Sequence, residues 1–326
     1  MTTKEEILNC LRSSGGYVSG EELSVRLNVS RTAVWKNINS LRDAGYEIQS
    51  VTNRGYRLVS RPDILSEEEI AAGLDTKFLA RKIYYSDSID STNEEAKRQA
   101  LRGAPNGSLF IAERQLGGKG RLGRAWSSPA GTGLWFSLLL LPGFIPVQVT
   151  SVTLLAGLAV CNAIRSRTGC AAMIKWPNDI VIGSRKVCGI LTEMAAEMER
   201  INFVVVGIGI NGNDISFPEE LKQKATSLRI ETGGPVFRAE ILQETLREFE
   251  LLLEMQKTSG MDALLADYKR LCISLNRKVE FTREGKKMAG TAVDISPEGE
   301  LVVCLNDGTL APVYSGEVTV QGIYGQ

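Results

Sequence analysis

The first sixty residues carry apolar positions at helical spacing in three short stretches, followed by two stretches with strand character. Ser19 and Ser30 each precede one helical stretch at an N-cap position, and Glu22 completes the spacing of a capping box with Ser19. The apolar residues of the three predicted helices are Ile7, Leu8, Leu11, Leu23, Leu27, Val34, Ile38 and Leu41. Residues 46–48 and 55–59 suit a two-stranded wing, so this segment is predicted to be a winged helix-turn-helix.

The polar side of the third predicted helix is cationic, with side chains that can reach bases and phosphates. These residues are Ser30, Arg31, Thr32, Trp35, Lys36 and Asn39. Between Arg31 and Arg57 the chain has five cationic side chains against two acidic ones. This local basic face favours DNA binding. A small helical module that contacts another protein would show the same apolar pattern, and that alternative stays open.

From residue 62 onward, strands and helices are mixed along the chain. Strands are predicted at 83–85, 109–112 and 134–141, and a further apolar strand begins at 203; helices are predicted at 93–101, 149–165, 238–256 and 262–271. After residue 276 the pattern changes to short strands at 279–281, 288–295, 301–305, 310–314 and 318–320, which predicts a small SH3-like barrel. Arg61–Pro62 is the expected linker, and the Ser66 helix cap is expected to open the next domain. The predicted domains are 1–61, 62–273 and 274–326.

The composition limits the kinds of reaction and metal site that this protein can have. The chain has 326 residues, no net charge, six cysteines and no histidine. No Cys-x-x-Cys pair occurs, so the usual zinc spacings are absent and we expect reduced thiols and no protein metal site. Without histidine, a serine-hydrolase triad is excluded. No apolar run approaches the length of about 18 residues that a membrane span needs, so a cytoplasmic protein without a membrane partner is expected.

The segment that most strongly suggests a ligand-binding or catalytic site is a basic loop at residues 117–126. Four glycines there allow a close backbone approach to a ligand. Lys119, Arg121 and Arg124 supply three cations, and Trp126 can cover a flat ring or an apolar chain. Lys119 is followed by Gly120 rather than Ser or Thr, so this is not a Walker A loop. A solvated surface loop is the alternative.

Four further segments carry recognisable residues. Ser91-Thr92-Asn93 begins a helix, where Thr92 and Glu95 have capping-box spacing. Residues 175–179 read Lys-Trp-Pro-Asn-Asp, which by itself is a turn between two strands, and residues 186–190 read Lys-Val-Cys-Gly-Ile. The glycines at 207, 209 and 212 match a dinucleotide fingerprint, but no helical pattern follows them, which argues against that motif.

Taken together and in order, these motifs resemble those of the biotin protein ligases, and the resemblance covers essentially the whole chain. Lys119 and Leu122 depart from the family pattern, which has Arg at both positions; this leaves in doubt any phosphate contact from residue 122. The resemblance implies a mixed-sheet, class II synthetase-like ligase domain within an α+β multidomain chain. It also implies that biotin contacts Ser91, Thr92, Asn93, Gln115, Lys119, Gly120, Arg121, Lys186 and Gly189. The implied adenylate-binding residues are Arg124, Trp126, Asn178 and Asn211.

The resemblance further implies two half-reactions: ATP with Mg²⁺ activates biotin as biotinyl-5′-AMP, and a lysine of a biotin carboxyl carrier protein then takes the biotin. Lys186 and Arg121 are the expected electrostatic catalysts, with Asp179 expected to orient or deprotonate the incoming lysine. The winged helix resembles the operator-binding domain of the ligases that repress biotin genes, so operator DNA is an expected partner. A ligand-enhanced homodimer is also expected, with residues 204–208 as an edge for sheet-to-sheet contact. A ligase without specific DNA binding, a repressor without transferase activity and a lipoate ligase remain as alternatives.

Overall fold

The computed structural model describes residues 2–60, 62–141, 148–197, 200–283, 285–314 and 318–325. The chain forms two compact units, Met1–Asp75 and Thr76–Gln326, and each is described by itself. Arg61, the first residue of the expected linker, lies outside the described residues. Within the described ranges, no helix combines the length and the apolar composition needed to cross a membrane.

The first unit has the predicted winged helix-turn-helix. Its elements are α1 (Thr3–Ser14), α2 (Gly20–Leu27), α3 (Arg31–Asp43), β1 (Glu47–Val51), β2 (Gly55–Ser60) and α4 (Glu67–Ala71). The hydroxyls of Ser19 and Ser30 accept hydrogen bonds from the third backbone N–H beyond them, which confirms both predicted caps. Gly55 turns the wing with φ +99°, and a Cβ there would lie 2.1 Å from the carbonyl oxygen of Val18, so only glycine fits.

Helix α4 packs with the first unit, although the sequence placed it at the start of the second domain. Glu69 of α4 is buried and bonds to the guanidinium of Arg12 and the hydroxyl of Tyr46. Burial and the neighbouring Glu69 raise the pKa of Tyr46, so its phenol stays a donor. Ala72 joins the same apolar core as Ile7. A buried carboxylate needs such partners, and both of them come from the winged helix.

The second unit is built on a seven-stranded mixed sheet. Its elements up to residue 271 are β3 (Ile83–Ser86), α5 (Thr92–Ala100), β4 (Leu109–Ala112), β5 (Gly133–Leu140), α6 (Gln148–Thr168), β6 (Ala172–Lys175), β7 (Asp179–Ile182), β8 (Arg185–Glu197), β9 (Arg200–Asn211), α7 (Leu228–Thr232), α8 (Arg238–Ser259) and α9 (Asp262–Leu271). The strand order is β3-β4-β5-β9-β8-β7-β6, with β3 and β4 parallel and the other pairs antiparallel. The predicted mixed-sheet α+β domain is therefore confirmed.

Residues 204–208 do not form a sheet edge, so the expectation that they offer an edge for dimer contact was wrong. They belong to β9, which pairs with β5 on one side and β8 on the other. Val204, Val205 and Val206 have no exposed surface. A continuous apolar run is the pattern of a strand covered on both faces, and here it marks the middle of the sheet.

The C-terminal strands form a five-stranded antiparallel sheet. They are β10 (Lys278–Arg283), β11 (Lys286–Ile295), β12 (Leu301–Leu305), β13 (Leu310–Val313) and β14 (Val318–Val320), in the order β13-β12-β11-β10-β14. Trp176, which is fully buried, donates its indole N–H to the carbonyl oxygen of Gly299 at 3.0 Å. The C-terminal sheet therefore packs against the 175–179 hairpin of the larger sheet.

Candidate active site

The basic loop is a hairpin that connects β4 to β5. Backbone hydrogen bonds join residue 115 to 128, 118 to 126 and 120 to 124. A single helical turn at Arg121–Gly123 forms the tip, where Leu122 is 76% exposed and has φ +56°. The hairpin thus has a defined backbone that turns Arg121 and Trp126 toward the sheet, while Leu122 points to solvent.

A buried arginine holds the base of this hairpin. Arg238, the first residue of α8, is 1% exposed and makes two hydrogen bonds to the carboxylate of Glu113, at 2.9 and 3.1 Å. It also donates to the carbonyl oxygen of Gly133 at 3.1 Å, and Glu113 accepts from the N–H of Gly131 at 3.0 Å. Both ends of the hairpin are therefore tied to one charged pair.

The Ser91–Asn93 segment does not form the predicted capping box. Helix α5 has Ser91 as its N-cap and no side-chain cap. Thr92 instead donates through its N–H and its hydroxyl to Oε1 of Gln115, at 2.9 and 3.1 Å. The buried hydroxyl of Ser137 lies 2.7 Å from Thr92 Oγ1 and 2.6 Å from Asn93 Oδ1. These residues from α5, the hairpin and β5 form one polar cluster, and this tertiary contact replaces the local cap.

Two glycines of β9 make room for this cluster and for the hairpin. A Cβ on Gly207 would lie 2.1 Å from Oδ1 of Asn93. A Cβ on Gly209 would lie 2.5 Å from Nε1 of Trp126. Real Cβ contacts are never so short, so either substitution would displace the facing side chain. The glycines recognised in the sequence therefore serve a close side-chain approach, not a dinucleotide fingerprint.

An ion pair between the partly exposed Lys186 and the buried Asp179 lies at the centre of the site. Nζ of Lys186 is 2.6 Å from Oδ1 of Asp179 and 5.0 Å from the centre of the Trp126 ring. Tyr324 donates its hydroxyl to Oδ2 of Asp179 at 2.6 Å. Burial by itself would raise the pKa of Asp179, but the charges of Lys186 and Lys175 and the hydrogen bonds to the carboxylate outweigh burial, so its pKa lies below the ordinary value.

Asn178 connects the hairpin tip to the sheet. Its Oδ1 accepts from Arg121 at 2.8 Å, and its Nδ2 donates to the carbonyl oxygen of Ile190 at 2.9 Å. On the opposite side, Lys119 forms an exposed ion pair with Glu94 at 2.9 Å. The hydrogen bond from Lys119 lowers the pKa of Glu94. Arg121 and Lys119 thus have different surroundings: Arg121 bonds to Asn178, the neighbour of Asp179, whereas Lys119 pairs with Glu94 of α5.

These groups surround a cavity of about 400 Å³. The predicted residues that line it are Ser91, Thr92, Asn93, Gln115, Lys119, Gly120, Arg121, Arg124, Trp126, Asn178, Asp179, Lys186 and Gly189. Asn211 is not among the lining residues; it is buried and donates to the carbonyl oxygen of Thr226 at 3.0 Å. The wall residues that sequence reasoning did not assign include Lys175, Phe136, Leu191, Val318, Thr319, Val320, Ile323 and Tyr324. Lys175 lies within the Lys-Trp-Pro-Asn-Asp motif and could have been named from it, whereas the C-terminal residues carry no such signal.

The first unit has an exposed face of its own on α3. Arg31, Thr32 and Lys36 are exposed, and Trp35 is 54% exposed. Asn39 is half-buried, and its Oδ1 accepts from Arg42 at 3.2 Å. All predicted DNA-binding residues thus lie on one helix or at its cap. In the wing, the guanidinium of Arg57 lies 5.1 Å from the centre of the Tyr17 ring.

The first unit is a winged helix. The second contains a mixed sheet and a cavity lined by cations, amides and apolar side chains. Together these features define a ligase-type enzyme with a nucleic-acid-binding module. Comparison with known proteins agrees with this class. Residues 3–57 match an HTH domain, residues 85–211 the biotin/lipoate A/B protein ligase family, and residues 274–320 the biotin protein ligase C-terminal domain.

The chain is 39% identical over 321 residues to the bifunctional ligase/repressor BirA of Bacillus spizizenii, covering 97% of this chain and 98% of the relative. It is 29% identical to BirA of Escherichia coli, with 96% of each chain covered. The solved biotin protein ligase of Aquifex aeolicus in complex with biotin and ATP superposes with a TM-score of 0.66 at 31% identity, covering 74% of this chain and 99% of that one. The chain belongs to the bifunctional biotin ligase/repressor family.

Proposed function

We propose that this protein is an ATP-dependent biotin protein ligase that forms biotinyl-5′-AMP, transfers biotin to a lysine of a biotin carboxyl carrier protein, and represses biotin genes. The observation that carries this proposal is the convergence of the predicted hairpin, amide and lysine residues on one cavity around Lys186 and Asp179. A cytoplasmic location follows from the proposed activity, because ATP, the carrier protein and genomic DNA are found there.

The biotin end of the cavity is the cluster of Thr92, Asn93 and Gln115. Biotin has a ureido ring with two N–H donors and one carbonyl acceptor, and this cluster offers both hydroxyl and amide partners. Ser91 and the α5 N-terminus lie beside it. Phe136 and Leu191 supply apolar walls that suit the ring sulfur and the alkyl chain of biotin.

The carboxylate end of the cavity is the cationic region of Arg121 and Lys186, beside Gly120 and Gly189. Activation of biotin brings a carboxylate against the α-phosphate of ATP, so two anions must meet in one place. Arg121 and Lys186 lower that repulsion, with Lys119 at the rim. Within the described ranges, no three His, Cys, Asp or Glu side chains group to hold a metal ion. Mg²⁺ is proposed to enter as part of the MgATP substrate, carried by phosphate oxygens.

The adenylate is proposed to lie along Arg124, Trp126 and Asn178. The indole of Trp126 stands over Gly209 and offers an aromatic face to adenine. Its Nε1 is buried without a hydrogen-bond partner, so a ligand acceptor would satisfy it. Asn211 acts indirectly in this proposal, because its amide holds the backbone at Thr226 beside β9.

Asp179 is proposed to orient the reacting groups rather than to remove a proton. Both of its oxygens have partners, and its lowered pKa makes it a weaker base. Transfer to the carrier needs a neutral lysine amine. For an amine with a pKa of about 10.4, roughly 1 in 10³ molecules is in the neutral form at neutral pH. Asp179 contributes by aiming Lys186 at the anhydride carbonyl.

The deciding experiment is biotin transfer. The full chain is incubated with ATP, Mg²⁺, labelled biotin and a biotin carrier domain, and label on the carrier is measured, with labelled lipoate as the competing substrate. Biotin label on the carrier supports the ligase. Operator binding without any label would favour a repressor that lacks transferase activity, and label from lipoate alone would favour a lipoate ligase.

Repression is tested on the α3 face. Lys36→Ala removes one exposed cation, so operator binding should weaken about tenfold, and the slope of log K against log salt should fall by about one for each copy bound. Lys287→Ala, an exposed lysine of the C-terminal sheet, is the matched control and should change neither quantity. Equal binding and an equal salt slope for Lys36→Ala would leave a ligase whose winged helix does not bind the operator.

We also infer that the adenylate promotes dimerisation. A single winged helix reads one half-site, and pairing on a two-fold operator increases affinity. Most apolar residues of the first unit pack in its own core, and exposed Trp35 lies on the proposed DNA-binding face, so the pairing surface is expected in the second unit. Biotinyl-AMP should tighten dimerisation by about 1–3 kcal/mol, and operator affinity should rise with it. Sedimentation equilibrium with and without biotinyl-AMP measures this, and identical dimer constants would contradict it.

A further inference from the structure

The last described segment, residues 318–325, forms one wall of the cavity. Hydrogen bonds tie it to the ligase sheet at two places besides the Asp179 contact. Nζ of Lys175 donates to the carbonyl oxygen of Val318 at 2.9 Å. The N–H of Tyr324 donates to the carbonyl oxygen of Ser184 in the β7–β8 turn at 2.9 Å. The C-terminal tail is therefore fixed to the two hairpins that carry the catalytic candidates.

The backbone at Tyr324 is held in an uncommon conformation. Its φ is +62°, in the left-handed region that non-glycine residues rarely adopt. The preceding Ile323 is 2% exposed, and it lines the cavity. A side chain keeps such a conformation where surrounding contacts hold it, and these sites often serve a function. Here the contacts aim the phenol at a single carboxylate.

Asp179 carries a different partner on each oxygen. Tyr324 donates to Oδ2 at 2.6 Å, and Lys186 pairs with Oδ1 at 2.6 Å. Burial raises the pKa of Tyr324, so the phenol stays protonated and remains the donor. The ring of Tyr324 also lies 5.1 Å from Nζ of Lys175, in cation–π range. Without the phenol, the Asp179 carboxylate would lose its hydrogen bond at Oδ2, one of the two contacts that hold its orientation.

We propose that Tyr324 is a positioning residue of this ligase: it holds Asp179 so that Asp179 directs the ammonium group of Lys186 into the cavity. The C-terminal tail then contributes to catalysis as one wall of the active site, in addition to being part of the C-terminal sheet. This inference rests on the proposed ligase function and deepens it. It adds a residue that lies 145 positions from its partner along the chain.

The test is Tyr324→Phe in the full chain, which keeps the ring over Lys175 and removes only the hydroxyl. We expect kcat for adenylate formation to fall about tenfold, the scale of losing a hydrogen bond to a charged group, while KM for biotin and for ATP changes less than about twofold. Tyr314→Phe is the matched control, because Tyr314, the residue after β13, is 63% exposed, and this variant should behave as wild type.

A double-mutant cycle identifies the route of the effect. If Tyr324 acts through Asp179, Tyr324→Phe should add little to the loss caused by Asp179→Asn. Full additivity of the two losses, or a wild-type kcat for Tyr324→Phe, would overturn the inference. Both of those outcomes leave an active wild-type ligase. Absence of biotin adenylation in the wild-type chain would instead contradict the proposed function itself, so the two failures are distinguishable.

Discussion

Replacing Lys186 with Met should lower the rate of biotinyl-AMP formation by about 10²–10³-fold. The ammonium group of Lys186 is placed by Asp179 at 2.6 Å and by the Trp126 ring at 5.0 Å, so it is already in position before ligands bind. Preorganised charges of this kind contribute on this scale, because they need no rearrangement as charge develops. Met keeps the apolar stem and removes only the charge.

The measurement is pyrophosphate release with saturating biotin and MgATP. Lys257→Met, an exposed lysine in the last turn of α8, is the matched control and should release pyrophosphate at the wild-type rate. Equal rates for Lys186→Met and wild type would remove Lys186 from the chemistry. A higher KM for biotin at unchanged kcat would assign Lys186 to binding alone, against the proposed role in the transition state.

Replacing Arg238 with Met should lower the free energy of unfolding of the ligase unit by about 3–5 kcal/mol, the cost of breaking a buried charge pair from one side. The substitution leaves Glu113 largely buried without its two hydrogen bonds from Arg238, and it removes the hydrogen bond from Arg238 to the carbonyl oxygen of Gly133. Both ends of the basic hairpin lose their common anchor. Trypsin should therefore cut faster at Arg121 in the variant.

Urea unfolding and the rate of trypsin cleavage measure the two effects. Arg247→Met is the matched control on the same helix: Arg247 pairs with Glu244 at 3.1 Å and is partly exposed, and Glu244 keeps a second partner in Arg167. That control should cost less than about 1 kcal/mol. An unfolding free energy for Arg238→Met equal to that of the control would show that the buried pair does not stabilise the hairpin.

Much of the secondary structure was predictable because it depends on neighbours in the chain. Ser19 and Ser30 cap their helices through backbone groups three residues away. The Lys-Trp-Pro-Asn-Asp turn joins two short strands, as predicted, because both strands and the turn lie within eleven residues. The motifs of the site could also be recognised in the sequence. The basic loop clusters glycines with cations, and the Lys-Trp-Pro-Asn-Asp segment and Lys186 form short recognisable motifs.

Tertiary structure decided what local patterns leave open. An apolar run such as residues 204–208 is compatible with several places in a sheet, and only pairing with β5 and β8 made β9 interior. Thr92 had a local cap available, but the more distant Gln115 and Ser137 provided better partners for its hydroxyl. Tyr324 carries no sequence signal at all, because its role depends on a contact with Asp179, which lies 145 positions earlier in the chain. The sequence by itself thus determined which elements form and which side chains are available for chemistry, whereas long-range strand pairing and side-chain competition determined which of them meet.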